Sequence, residues 1–144
     1  MVEANIKNTF SKAEKLCEKR AVELLFNKGV TVVIPPLRAT FLETGSGKFR
    51  YPRILIAVPK KNYKLAVVRN RIKRLIREAY RLRKHHLVQF LEVNQMSVDI
   101  AIIFTKSEKV DLTICLDAID RVISKIIKAL QHQSRGAGKV DGWS

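Results

Sequence analysis

The chain reads as a small α+β domain, a two-layer sandwich with helices covering a small mixed sheet in the order α-β-β-α-β-α. Three observations predict it. Two short apolar runs rich in β-branched residues, RILIAV at 53–58 and VDIAIIF at 98–104, have the length and composition of buried strands. Two longer segments, one between those runs and one after them, repeat apolar residues at helical spacing. A length of 144 residues with 47% apolar content suits one domain with a buried core.

Residues 1–10 lack periodicity and are expected to be flexible; the domain is expected over 11–131. Ser11 and Glu14 are spaced as a capping box, and Leu16, Ala21, Leu24 and Leu25 follow at near-helical intervals. The spacing predicts a helix, or two short ones, over 11–27, ended by Gly29 at C′. The stretch 30–43 is β-rich and interrupted by Pro35-Pro36, which marks an edge strand or a strand start. Within it Leu37, Ala39 and Phe41 alternate with Arg38, Thr40 and Leu42. Residues 44–48 (TGSGK) read as a hairpin turn; they lack the spacing of a phosphate-binding loop and lead into no helix.

Residues 60–84 come next and are the most distinctive part of the chain. They hold 11 of its 28 Lys and Arg residues and one acidic residue, Glu78. With Ile72 at 0°, Val68, Leu75, Ile76, Ala79 and Leu82 fall within about 80° on a helical wheel. Asn70, Lys73, Arg74, Arg77, Arg81 and Lys84 fall between roughly 100° and 200°. One side packs on a core and the other offers a row of cations. The apolar side carries Val, Ile, Leu and Ala, which suit core packing better than membrane anchoring. The helix is expected to fade at His85-His86, two exposed or RNA-facing histidines with no ligand-spaced partner. After the strand at 98–104, Asp111 is placed to cap a last helix running to about Leu130. Residues 132–144 are polar and glycine-rich, expected to be disordered, and Trp143 has nothing local to pack on.

Net charge is +15, so a polyanionic partner is expected, nucleic acid first. Arginine dominates the row, and its planar fork binds phosphate through two hydrogen bonds. Cys17 and Cys115 sit in apolar patterns and read as buried thiols in a reducing compartment. No signal-peptide pattern opens the chain, and no apolar run reaches the ~18 residues of a membrane span. A cytoplasmic protein is expected. No serine, cysteine or histidine triad and no two-metal carboxylate cluster is suggested; Asp117 and Asp120 read as helix-surface charge.

The ordered set Arg69-Asn70-Arg71-x-Lys73-Arg74-x-x-Arg77-Glu78-Ala79, preceded by Lys60-Lys61 and Ala66-Val67, closely resembles the signature of the bacterial ribonuclease P protein component. The resemblance extends over about 120 residues, from the Lys15-Leu16 region through the last helix. It implies a fold of the ribosomal protein S5 domain 2-like type, with a left-handed βαβ crossover where the general rule gives a right-handed one. It implies an endoribonuclease holoenzyme in which the RNA subunit, using Mg²⁺, removes the 5′ leader of precursor tRNA. No catalytic or metal-binding residue is expected in this chain. The implied partners are ribonuclease P RNA, one protein to each, and precursor tRNA, with no membrane. Lys60, Lys61, Lys64, Arg69, Asn70, Arg71, Lys73, Arg74, Arg77 and Arg81 would contact RNA. Val22, Phe26 and Thr40 would line the leader-binding cleft. The family usually stacks aromatics on leader bases there, and Val22 and Thr40 depart from that pattern. Phe26 reads equally as core. Tyr63 is a replacement platform or an exposed loop tyrosine. The alternatives are a non-catalytic structured-RNA-binding protein of ribosomal or chaperone type, and a DNA-binding regulator. A strand at 54–58 stands where a helix-turn-helix needs a helix, against the DNA reading.

Overall fold

The computed structural model describes residues 14–44, 47–105 and 110–136. Its elements are α1 (Lys19–Lys28), β1 (Val30–Ile34), β2 (Leu37–Glu43), β3 (Arg53–Ala57), α2 (Ala66–Arg83), α3 (His85–Val93), β4 (Val98–Phe104) and α4 (Leu112–Gly136). The four strands form one mixed sheet in the order β1-β2-β4-β3. β1 and β4 pair antiparallel to β2, while β3 pairs parallel to β4.

The alternation on β2 sorts its side chains as the sequence predicts. Leu37, Ala39 and Phe41 join Ile100, Ile102 and Phe104 of β4 in the main core. Ile72, Ile76, Ala79 and Tyr80 of α2 pack into that core, with Leu87 and Leu91 of α3 and seven side chains of α4 from Cys115 to Leu130. Each such aliphatic side chain stabilises the fold by about 1.5–3 kcal/mol when fully buried. On the sheet's other face α1 sets Leu25 against Ala101, with Leu42 and Leu55 beside them. Asp111 caps α4 as expected: its Oδ1 accepts the Ile114 N–H at 2.9 Å.

Several expectations are corrected. The β-rich stretch is two strands, turned at a cis Pro35-Pro36 bond so that Ile34 faces Leu37. β1 is the edge strand that the prolines suggest. Residues 44–48 are not a hairpin turn, because β4 lies between β2 and β3; residues 45 and 46 fall outside the described set. β3 is also an edge strand: Ile54 faces the main core and Leu55 the α1 side, so an apolar run fits without being central. The basic helix ends at Arg83, close to where it is expected to fade, but the histidines open a further helix that was not expected. Lys84 separates it from α3, in which Leu87, Val88 and Leu91 are buried.

The first helix begins at Lys19, eight residues later than expected. Residues 15 and 16 instead lie parallel to β3, joined by a bridge between Lys15 and Ile54, with the Leu16 N–H on the Ile54 carbonyl at 2.9 Å. Ser11 lies outside the described residues. Glu14, its presumed capping partner, is buried and accepts from Lys84 Nζ at 2.7 Å. Gly29 does not take a left-handed conformation (φ −76°). Glycine is needed there for space: a Cβ would stand 2.4 Å from the Leu25 carbonyl oxygen and 2.9 Å from that of Phe41. Of the two cysteines, Cys115 is buried as expected but Cys17 is exposed. The last helix runs to Gly136, past its expected end at about Leu130 and into the segment 132–144 expected to be disordered. Residues 1–10 and 137–144 lie outside the described residues.

The Lys84–Glu14 pair is fully desolvated on both sides, with Lys84 0% exposed and Glu14 3%. Lys84 Nζ also stands 5.4 Å from the centre of the Tyr51 ring. Breaking such a pair from one side leaves a buried charge without its partner and costs ~3–5 kcal/mol, whereas replacing both by apolar residues is often neutral. Urea unfolding of Glu14→Leu, Lys84→Met and the double variant should give two large single losses and a double variant more stable than either. Additive losses would show that the pair does not act as a unit.

Burial, and secondarily Asp111, pushes the Cys115 thiol up to about 11 from 9.0. Between those values the unfolded thiol is ionised and the folded one is not. The unfolded state then binds fewer protons, and stability falls as pH rises. Unfolding followed from pH 8 to 11 should show this loss. Cys115→Ala, although destabilised by its cavity, should show a flatter slope over the same window.

Candidate nucleic-acid interface

α2 is held by its apolar side, and that fixes where its cations point. Ile72, Ile76, Ala79 and Tyr80 are buried, a slightly rotated version of the predicted face in which Tyr80 takes part and Leu82 is only half-buried. Burial puts the Tyr80 hydroxyl well above its usual range, with Glu14 and Tyr51 adding in the same direction. Opposite this side, Asn70, Arg71 and Arg74 are exposed, and Lys60, Lys61 and Lys64 are exposed in the loop before the helix. Lys73, Arg77 and Arg81 are half-buried on the flanks.

The cations differ in what else they do. Arg69 donates from Nη1 to the Tyr63 and Lys64 carbonyls, 2.8 Å each, and so ties the lysine loop to the first turn of α2. Arg81 forks onto Glu78, with Nε 3.1 Å from Oε1 and Nη2 on the other oxygen. Those hydrogen bonds hold the Glu78 carboxyl below its usual range. Arg77 Nε is buried and has no hydrogen-bond partner among the described residues. Lys84, placed on the basic row by helical geometry, is not on the surface at all: the helix ends beside it and Glu14 encloses it. Tyr63 is neither a free platform nor an exposed loop residue. It is half-buried, and its ring centre stands 6.0 Å from that of Phe104.

The three residues expected to line a cleft lie on the α1 side of the sheet. Val22 packs against the Leu16–Leu25–Ala101 cluster. Thr40 is 5% exposed, and its hydroxyl shares a 2.9 Å hydrogen bond with that of Thr31. Phe26 is 45% exposed, which removes the core reading and leaves one aromatic surface beside α1. Sequence reasoning missed Asp99, 4% exposed on β4, which accepts a two-pronged bond from Arg53 at 2.9 and 2.8 Å. Arg50 stands 3.6 Å from it, and Arg53 also reaches Glu18 at 3.7 Å. The signal was the polar intrusion of aspartate into a buried strand, where a charge needs a partner. His85 and His86 open α3, the first half-buried and the second exposed. Asp117 and Asp120 are surface charges, 3.2 Å from Arg121 and 3.5 Å from Arg83. Among the described residues no group of three or more His, Cys, Asp or Glu comes together as a metal site, and no helix is long and apolar enough to cross a membrane.

A rigid helix presenting exposed arginines, with three further lysines at its entry, defines a protein built to hold a polyanion. The comparisons with known proteins narrow this to one family. The family described as Ribonuclease P matches residues 10–127. A ribonuclease P protein component from Porphyromonas gingivalis W83 is 34% identical over 116 residues, which are 81% of this chain and 85% of that one. One from Vibrio parahaemolyticus is 37% identical over 91 residues, 63% of this chain and 68% of that one. The fold is shared with the ribonuclease P protein of Staphylococcus aureus (TM-score 0.64, 22% identity, 80% of this chain and 96% of that one). It is shared equally with that of Thermotoga maritima (TM-score 0.61, 24% identity, 78% and 96%). The chain belongs to the ribonuclease P protein component family.

Proposed function

We propose that this chain serves as the protein subunit of ribonuclease P, holding the catalytic RNA on α2 and assisting removal of the 5′ leader from precursor tRNA. The observation that carries the reading is the outer side of α2. Arg71 and Arg74 are exposed there and enter into no ion pair among the described residues. Guanidinium groups held on a rigid helix bind phosphate with little loss of conformational freedom. Lys60, Lys61 and Lys64 extend the row, Arg69 positions their loop, and Asn70 and Lys73 complete it. Arg77 and Arg81 border it.

In this reading hydrolysis is the work of the RNA subunit with its Mg²⁺, in the cytoplasm, and one protein serves each RNA. The protein neutralises phosphates that otherwise repel the substrate, so its help is greatest where Mg²⁺ is scarce. The leader lies along the α1 side of the sheet. With Val22 and Thr40 in place of aromatics, Phe26 is the one stacking surface among the three.

The direct test is 5′ processing of precursor tRNA by a bacterial ribonuclease P RNA at limiting Mg²⁺. Stimulation is expected only with both components; cleavage by the protein alone would overturn the assignment of chemistry to the RNA. Arg71→Glu/Arg74→Glu should weaken RNA binding and lower its log–log salt slope by ~0.7–0.9 per lost phosphate contact. An unchanged slope would move the RNA off α2. Phe26→Ala should weaken holoenzyme binding of leader-bearing precursor by ~1–3 kcal/mol, the worth of one stacked base, and leave leaderless tRNA unaffected. Equal losses for both would place the leader elsewhere.

A further inference from the structure

A groove of about 200 Å³ lies between the N-terminal segment, the outer edge of β3 and the flank of α2. It is lined by Lys15, Leu16 and Cys17 of the segment, by Ile54, Leu55 and Ile56 of β3, and by Arg77 of α2. None of its lining residues is acidic. The neighbouring carboxylates are engaged elsewhere, Glu14 with Lys84 and Glu18 with Arg53.

Three features point to an anion. Lys15 and Arg77 bring two cations, one from the N-terminal segment and one from α2, to the same groove. Arg77 Nε is buried with no acceptor among the described residues, and a buried N–H left unpaired is costly. The third feature is the sheet edge. The Ile54 carbonyl points outward, since it accepts the Leu16 N–H. Successive residues of a strand turn their N–H and C=O groups to opposite edges, so those of Ile56 point outward too. The Lys15–Ile54 bridge is isolated, and the chain leaves β3 to enter α1 at Lys19. A backbone N–H therefore faces the same groove as the two cations.

We propose that this groove seats a phosphodiester of the RNA strand that runs along α2, with Lys15 and Arg77 as its charged partners and the Ile56 N–H as a backbone donor. The proposal rests on the α2 reading above and extends it. Arg77 belongs to both surfaces, lying one helical turn beyond Lys73 and Arg74, so a backbone leaving the outer side of α2 reaches the groove without a gap. The N-terminal segment, pinned by Glu14 on Lys84, thereby becomes part of the RNA site.

Cys17 is a built-in reporter, exposed in the groove wall while Cys115 is buried. In the full-length protein, the alkylation rate of Cys17 by an uncharged maleimide is measured with and without ribonuclease P RNA. A parallel reporter for α2 is Val67→Cys in a Cys17→Ser background; Val67 is 79% exposed and carries no charge. Both thiols should slow in proportion to the fraction bound. Lys15→Gln should lower the log–log salt slope of RNA binding by ~0.7–0.9. If the Val67→Cys thiol is protected while Cys17 reacts at its free rate, or if Lys15→Gln leaves the slope unchanged, the groove is not a phosphate seat and the α2 reading stands. If neither thiol is protected, the α2 reading itself fails and the groove proposal falls with it.

Discussion

The parallel pairing of β3 with β4 is the constraint from which the rest of this structure follows. Parallel neighbours cannot be joined by a hairpin; the chain must leave one end of the sheet, cross a face and return. Here the crossing is made by α2 and α3. A helix forced to lie across a sheet must bury one side, and α2 does so through Ile72, Ile76 and Ala79. Its opposite side is then exposed by geometry alone. A cation placed there is held in position by the core beneath it, so the topology supplies a rigid platform for charge.

That platform explains why the cations of one helix have such different roles. Those far from the sheet, Arg71 and Arg74, are open to solvent. Those at the margins meet other parts of the protein. Arg69 satisfies carbonyls of the preceding loop, Arg81 neutralises Glu78, and Lys84 is enclosed by Glu14. A net charge of +15 makes further exposed cations costly through self-repulsion. Pairing the marginal ones lowers that cost and leaves Arg71 and Arg74, among the described residues, as unpaired charge on the outer side of α2. Such focusing favours a polyanion that follows the helix over ions bound at scattered points.

Much of this was legible in the sequence because it depends on local period. Alternation sorted Leu37, Ala39 and Phe41 from Arg38, Thr40 and Leu42, and the helical wheel found the buried and exposed sides of α2 to within a small rotation. What failed depended on contacts distant in sequence. Nothing near Glu14 says that its carboxylate belongs to Lys84, seventy residues on, so a capping box was the natural local reading. The same contact hid the true fate of Lys84 and the extended course of residues 15 and 16. The end of α2 was legible, but α3 was missed because the two histidines read as the close of a helix and not as the start of another. The order of the strands, which makes β3 an edge and denies residues 44–48 a hairpin, is not written in any strand's own pattern.

The buried pair also bears on why the N-terminal segment lies where it does. Leu16 alone offers a small apolar contact, and a single backbone bond to Ile54 does not hold a segment in register. A buried Lys–Glu pair contributes little net stability compared with an apolar pair of the same volume, but it penalises alternatives strongly. If the segment slid by one residue along β3, its side chains would turn over and the buried Lys84 would lose the Glu14 carboxylate. Register is therefore enforced by the energy of the wrong states. The geometry it enforces brings Lys15 to the groove that Arg77 also lines. A charge that is invisible to solvent thus decides where two cations at the surface stand.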